Sequence, residues 1–388
     1  VDQTRGWFYT LHAIHTMVSG TRAFKRVISN GLVLDKDGNK MSKRLGNAVD
    51  PFQQLDKYGA DALRFTLATG NSPGNDMRYM DEKVKASRNF ANKLWNASRF
   101  IMMNLPDDFK FTGLPENLTI EDKWIISKFN DLAKAVNDNL DNFELGVAVQ
   151  KLYDFIWDVY CDWYIELTKP RIMAGGETMA SAQAVLVFIM QGMLKLLHPF
   201  MPFITEEIWQ TLTDGQSPIM LEKFPVFEDA LSFKAEEEAF EKVIAVIREI
   251  RNRRTEMNIP PSVKANVFIE TELTDLFESC SMFFEKMAFA SAVKVDKKFE
   301  LEDAVTAVTD SARAFIPMNE LVDKDKEIAR LNKEKEKVQK DIDFLSGKLN
   351  NPGFVAKAPE KLIEAEKAKL AKAEEKMQKI EQSIAGLK

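Results

Sequence analysis

From Asp81 onward the chain is patterned in helical periods. Val84, Ala91, Leu94, Ile101 and Leu105 recur at helical spacing. After a loop over residues 106–117, Trp124, Phe129, Leu132 and Val136 predict a second helix. Leu152, Phe155, Ile156, Val159, Trp163 and Leu167 predict a third, closed by Pro170. Residues 180–197 are apolar nearly all round, which predicts a buried fourth helix. His198-Pro199-Phe200-Met201-Pro202 breaks it, residues 205–212 begin a fifth, and residues 236–257 form a sixth that ends at Asn258-Ile259-Pro260-Pro261. Long helices with short links predict an up-and-down bundle.

Both flanks of the bundle read differently. Residues 1–75 mix short apolar runs with glycine-rich turns, as an α/β segment does. The pattern predicts a helix over 4–18, a strand over 27–34, a helix over 51–59 with Asp50 as its N-cap, and another over 61–69. Residues 262–317 predict a small α+β unit, with strands at 265–270 and 292–295 flanking a helix at 275–288, then a strand over 304–314. Beyond it, Leu321, Ile328, Leu331, Val338, Ile342, Leu345 and Leu349 mark one limb of an arm. Leu370, Ala373, Met377, Ile380, Ile384 and Leu387 mark the other, with Asn350-Asn351-Pro352-Gly353 as the turn between. Spacing that alternates between three and four predicts an antiparallel coiled-coil hairpin. The fold class is therefore multidomain and mainly α.

Composition narrows this picture. A chain of 388 residues suggests two to four domains, and 45% hydrophobic with 29% charged residues suits a soluble globular protein. The longest apolar run, 184–197, is interrupted by Gln191, Gly192 and Lys195, short of the roughly 18 residues of a membrane span. Cys161 and Cys280 alone exclude a disulfide framework and a cysteine-based zinc site, which fits a reducing cytoplasm. The net charge of −6 argues against wholesale coating of nucleic acid, yet the C-terminal arm is mildly basic. A start at Val1 with no leader-like segment reads as the inside of a larger protein.

Chemistry concentrates in Lys40-Met41-Ser42-Lys43-Arg44-Leu45-Gly46-Asn47, on a loop that Asp35, Asp37 and Gly38 are expected to make flexible. Two ammonium groups on a mobile turn suit an oligophosphate, because charge-assisted contacts are strong and count most where they tighten as charge shifts. Ser42 and Asn47 are candidates for holding the loop. Arg44 is open between a phosphate contact and a solvated side chain. His12 and His15 read as helix-face residues rather than ligands.

The lysine loop closely resembles the KMSKS motif of class I aminoacyl-tRNA synthetases. Tyr58-Gly59-Ala60-Asp61-Ala62-Leu63-Arg64 resembles the helix that follows it in the valyl, isoleucyl and leucyl branch. Gly70 to Asp76, Ser87 to Asn96, Leu152 to Trp157, Cys161 to Glu166, His198 to Phe203 and the terminal arm are similar to the valyl members. Asp2-Gln3-Thr4-Arg5-Gly6-Trp7-Phe8, Asn30-Gly31-Leu32-Val33-Leu34 and Arg44 look isoleucyl instead. The family's HIGH-type motif and editing insertion are not among these residues.

The resemblance implies a division into five parts. Residues 1–80 would be the C-terminal part of a Rossmann-like α/β catalytic domain, 81–118 a connecting helix, and 119–261 an anticodon-binding helical bundle. The small α+β unit would follow at 262–317, and 318–388 would be a tRNA-binding arm. It implies ATP-dependent attachment of valine, or isoleucine, to tRNA through an aminoacyl-adenylate. Lys40 and Lys43 would be catalytic, with Lys40, Met41, Ser42, Lys43 and Asp2 at ATP, and Gln3 and Trp7 at the amino acid. Arg248, Arg251, Arg253 and Arg254 are candidates for tRNA phosphates, whereas Trp124, Phe155 and Trp163 read as core packing. ATP would come with Mg²⁺, no protein-bound zinc or membrane is expected, and the protein reads as a cytoplasmic monomer. Alone, the chain is expected to be inactive, or to act as a tRNA-binding module.

Overall fold

A computed structural model describes residues 4–69, 73–301, 303–321, 324–350 and 360–387. They form two compact units, Val1–Val243 and Ile244–Lys388. In the first unit, the opening segment is a π-helical turn, Thr4–Phe8, running into α1 (Tyr9–Ser19). The strand expected over 27–34 shrinks to β1 (Val33–Leu34), because its parallel partner β2 (Met77–Arg78) offers only two residues to pair with. Between them lie α2 (Pro51–Tyr58), whose N-cap Asp50 accepts the Phe52 amide at 3.0 Å, and α3 (Ala60–Ala68).

The bundle is built from α4 (Asp81–Met103), α5 (Ile120–Asp141), α6 (Leu145–Asp154), α7 (Ile165–Ala174), α8 (Gly176–Leu197) and α9 (Pro202–Leu212). Phe90, Leu94, Ile101, Trp124, Ile125, Leu152, Tyr160 and most of α8 fill its core. By length and composition α8 could cross a membrane, yet 67% of its most apolar stretch is buried inside the protein. Gly192 lets α8 close on α5, since a Cβ there would meet the Phe129 ring at 2.2 Å. The expected third helix is composite and does not stop at Pro170. A π-helical stretch, Phe155–Tyr164, joins α6 to α7, and Pro170 lies inside α7. Arg171, just past the proline, is buried and donates to Glu121 at 2.8 Å and Asp122 at 2.7 Å, which holds the helix on course beyond the missing amide.

The helix α10 (Lys234–Glu256) contains the division between the units, and its Phe240 ring lies 5.5 Å from Trp124 within the first. The second unit holds β3 (Ala265–Glu270), α11 (Thr274–Ser279), α12 (Ser281–Met287), β4 (Ala290–Asp296), β5 (Ala304–Val308) and β6 (Arg313–Pro317), in sheet order β4-β3-β6-β5. Two expectations fail here. The helix over 275–288 breaks at Cys280. The strand over 304–314 is a hairpin, because Thr309 folds the chain back, its amide donating to the Ala312 carbonyl at 3.0 Å and its hydroxyl accepting the Ala312 amide at 3.2 Å.

Leu321 does not open the arm. It lies in α13 (Met318–Leu321), where Glu320 accepts the Asn266 amide at 2.6 Å. The arm itself is α14 (Lys324–Leu349) and α15 (Glu360–Leu387). Val338 and Ile342 pack with Met377 and Ala373, while Lys335 meets Glu381 at 2.7 Å and Lys348 meets Glu366 at 3.3 Å. Rising numbers on one limb meet falling numbers on the other, so the limbs are antiparallel. The turn residues Asn351-Pro352-Gly353 and the seam side chains of Ile328, Leu331, Ile380, Ile384 and Leu387 lie outside those described.

Candidate nucleotide and RNA site

The lysine loop is closed by its own hydrogen bonds. Asp35 Oδ1 accepts the amides of Asp37 at 3.0 Å and Asn39 at 2.7 Å, and Oδ2 accepts Asn47 Nδ2 at 2.8 Å. Asn47 in turn accepts the Ser42 amide at 2.9 Å and donates to the Lys40 carbonyl at 3.3 Å. Ser42 Oγ takes the Leu45 amide at 3.2 Å, and Gly46 turns the chain at a φ of +66°. One carboxylate therefore ties the start of the loop to its end. Hydrogen bonds from the Asn47 side chain and the Asn39 amide hold the Asp35 carboxyl below its usual range. The expectation that Asp35 loosens this segment is corrected: Asp35 organises it. The signal was present, since an Asp followed by amides two and four residues on is an Asx-type turn former.

Met41 is anchored inward, against the buried cluster Ala62, Tyr79 and Val84. Its side chain thus faces the protein. Lys40, Lys43 and Arg44 are exposed on the outer turn. Beneath the loop, Gly31 passes so close to the Asn75 carbonyl that a Cβ would sit 1.9 Å away, and Asp76 accepts the Leu32 amide at 2.7 Å. The loop's base is thereby joined to a segment more than forty residues later. Trp7 is 65% exposed on its π-helical turn, and Asp2 and Gln3 lie outside the described residues. His15 meets the Thr21 hydroxyl at 3.2 Å, and the His12 ring lies 5.6 Å from Phe24.

A second contact, missed in the sequence, docks α3 on the bundle. Asp61 is 9% exposed and accepts the amides of Phe203 at 3.2 Å and Ile204 at 2.7 Å, capping α9. Arg64 donates to the carbonyls of Pro199 at 3.0 Å and Phe200 at 3.3 Å. Two of the motifs quoted above therefore meet each other. Next to them His198 shares a 2.8 Å hydrogen bond with Thr205, and burial pushes its pKa down.

The four arginines of α10 separate. Arg254 is buried, donates to the carbonyls of Pro260 at 3.2 Å and Val263, and lies 5.4 Å from the Phe289 ring. Its guanidinium is consumed by the turn that ends the helix, so the reading of Arg254 as a phosphate contact is corrected. Arg253 pairs with Glu249 at 3.1 Å and Glu256 at 3.0 Å. Arg248 and Arg251 are exposed. Trp124, Phe155 and Trp163 are buried, as the spacing predicts. Among the described residues, no group of three or more His, Cys, Asp or Glu could hold a metal ion.

Family models match three stretches of the chain: tRNA synthetases class I (I, L, M and V) over residues 1–80, anticodon-binding domain of tRNA ligase over 122–270, and valyl tRNA synthetase tRNA binding arm over 323–388. The chain belongs to the class I aminoacyl-tRNA synthetases. Within that class it is similar to valine–tRNA ligases. It is 48% identical to that of Clostridium acetobutylicum over 95% of this chain and 43% of the relative. For Clostridium tetani the figures are 47%, 94% and 42%, and for Carboxydothermus hydrogenoformans 45%, 93% and 42%. The chain thus spans less than half the length of these relatives and corresponds to their C-terminal portion. A match over 95% of the chain takes in most of residues 1–50 too, so the isoleucyl and hybrid readings are not favoured.

Proposed function

We propose that this chain is the C-terminal portion of an enzyme that attaches valine to its tRNA through an aminoacyl-adenylate, at the expense of ATP. The observation that carries this reading is the closed lysine loop, whose backbone is held by Asp35 and Asn47 while Lys40 and Lys43 remain on its exposed side. Activation of an amino acid moves negative charge onto the departing pyrophosphate. Lys40 and Lys43 stabilise that charge, and Ser42 lends its amide and hydroxyl to the shape of the turn. Mg²⁺ arrives with ATP as part of the substrate. Asp2 meets the ribose, Gln3 the α-amino group, and Trp7 walls the amino-acid pocket.

The same reading gives the rest of the chain to tRNA. The helical bundle meets the anticodon, with Arg248, Arg251 and Arg253 supplying charge. The antiparallel arm is a coiled coil that lies along the RNA, and the protein acts as a monomer in the cytoplasm. A narrower reading for the chain alone is a tRNA-binding module without chemistry. A gel shift with purified tRNAs separates the readings. Preference for valine tRNA over isoleucine tRNA is expected, and binding that follows isoleucine tRNA overturns the valyl assignment. ATP–pyrophosphate exchange by the chain alone is expected at background.

A further inference from the structure

Lys40 and Lys43 are not the only cations at the lysine loop. Leu34 pairs with Arg78 across the parallel β1–β2 ladder and with Lys40 across an antiparallel bridge on its other side. Residues directly opposite one another in a sheet share a face. Arg78 and Lys40 therefore flank Leu34 on one face, both exposed, with their backbones two strand spacings or roughly 10 Å apart. The Arg78 guanidinium reaches over the turn that opens the loop, where Nη2 lies 3.2 Å from the place a Cβ of Gly38 would occupy. Gly38 adopts a φ of +87°, a conformation that favours glycine, and the arginine lies close above it.

Among the described residues, no ion pair joins Arg78 to a carboxylate. Asp35 is committed to the amides of Asp37 and Asn39 and to the Asn47 side chain, and Asp76 to the Leu32 amide. A guanidinium left over a turn, beside two ammonium groups on the same loop, suits an extended chain of phosphates better than a single one. Its planar fork can bind two oxygens of one phosphate.

We propose that Arg78 is a third phosphate-binding cation of this site, holding the phosphate tail of ATP together with Lys40 and Lys43. The assignment rests on the reading of the lysine loop given above. Inorganic tripolyphosphate is the probe, titrated calorimetrically into the whole chain and into Arg78→Gln, Arg78→Lys and Lys43→Gln variants. Arg78→Gln should weaken binding by about tenfold or more, Arg78→Lys by less, and Lys43→Gln comparably to Arg78→Gln. ATP should displace the probe, whereas AMP, lacking the outer phosphates, should not.

If Lys43→Gln weakens binding and Arg78→Gln does not, Arg78 is only a prop for the turn and the proposal is overturned, with the lysine reading intact. If the unaltered chain fails to bind, or no variant matters, the phosphate reading of the loop falls and Arg78 with it. Displacement by tRNA but not by ATP would give the three cations to an RNA backbone and overturn the assignment to ATP. Arg78 is exposed, so its variants should melt with the parent, and a lowered melting temperature with unchanged tripolyphosphate affinity again gives the prop.

Discussion

Single side chains decide more here than their exposure suggests. Asn47 touches three parts of the lysine loop, so Asn47→Ala should release it, and trypsin should then cut after Lys40, Lys43 or Arg44 several-fold faster than in the parent. Asp35 has its pKa lowered, so its contribution to holding the loop is present above the ordinary carboxylate range and is lost as pH falls through the folded-state pKa. The same cleavage assay run toward acid pH should show that loss. Deeper in the bundle, Asp122 accepts from Nη1 and Nη2 of Arg171, from Tyr164 at 2.6 Å and from Ser181 at 3.2 Å. Removing one partner of a buried pair leaves the other charge stranded, so Asp122→Ala should cost about 3–5 kcal/mol in urea unfolding. Glu121 behaves oppositely to Asp35: burial and then the nearby Asp122 raise its pKa. Its stabilising effect is present below the unfolded carboxylate range and fades as pH rises through the folded value. Glu121→Gln should flatten that part of the stability–pH curve.

At the scale of elements, periodicity located the long helices because each has one face in the core, and it failed where local geometry competes with period. The turn Thr309-Asp310-Ser311-Ala312 has neither Gly nor Pro, so its hairpin reads as one strand until the Thr309 hydroxyl is seen to take the Ala312 amide. A proline was read as a stop, whereas the buried ion pairs of Arg171 carry α7 past it. The loop's lysines were legible as chemistry and Asp35 carried a local turn-forming signal, but the roles of Asp61 and Arg64 were not legible, since both act on main-chain atoms that no side-chain pattern reveals. Likewise Arg248 and Arg254 look equivalent in a row of arginines, and only burial separates them. The close approach of α5 and α8 gives a direct test. Gly192→Ala drives a methyl group into the Phe129 ring, and about 1–3 kcal/mol of destabilisation is expected in thermal or urea melts.

For the whole molecule, the two units call for separate treatment. If the arm and bundle grip an RNA backbone, affinity for tRNA should fall steeply and log-linearly with salt, and a chain ending before α14 should show a shallower slope. A slope unchanged by that truncation would take the arm out of the contact.

The joint between α3 and α9 has one more implication. Asp61 and Arg64 grip peptide groups of residues 199–204, not the side chains there. A clasp on peptide atoms is indifferent to what hangs from them, so outward-facing Phe203, 65% exposed, is open to drift while the clasp survives. The tolerance is one-sided, because replacing either clasping residue undoes the fastening whatever letters stand opposite.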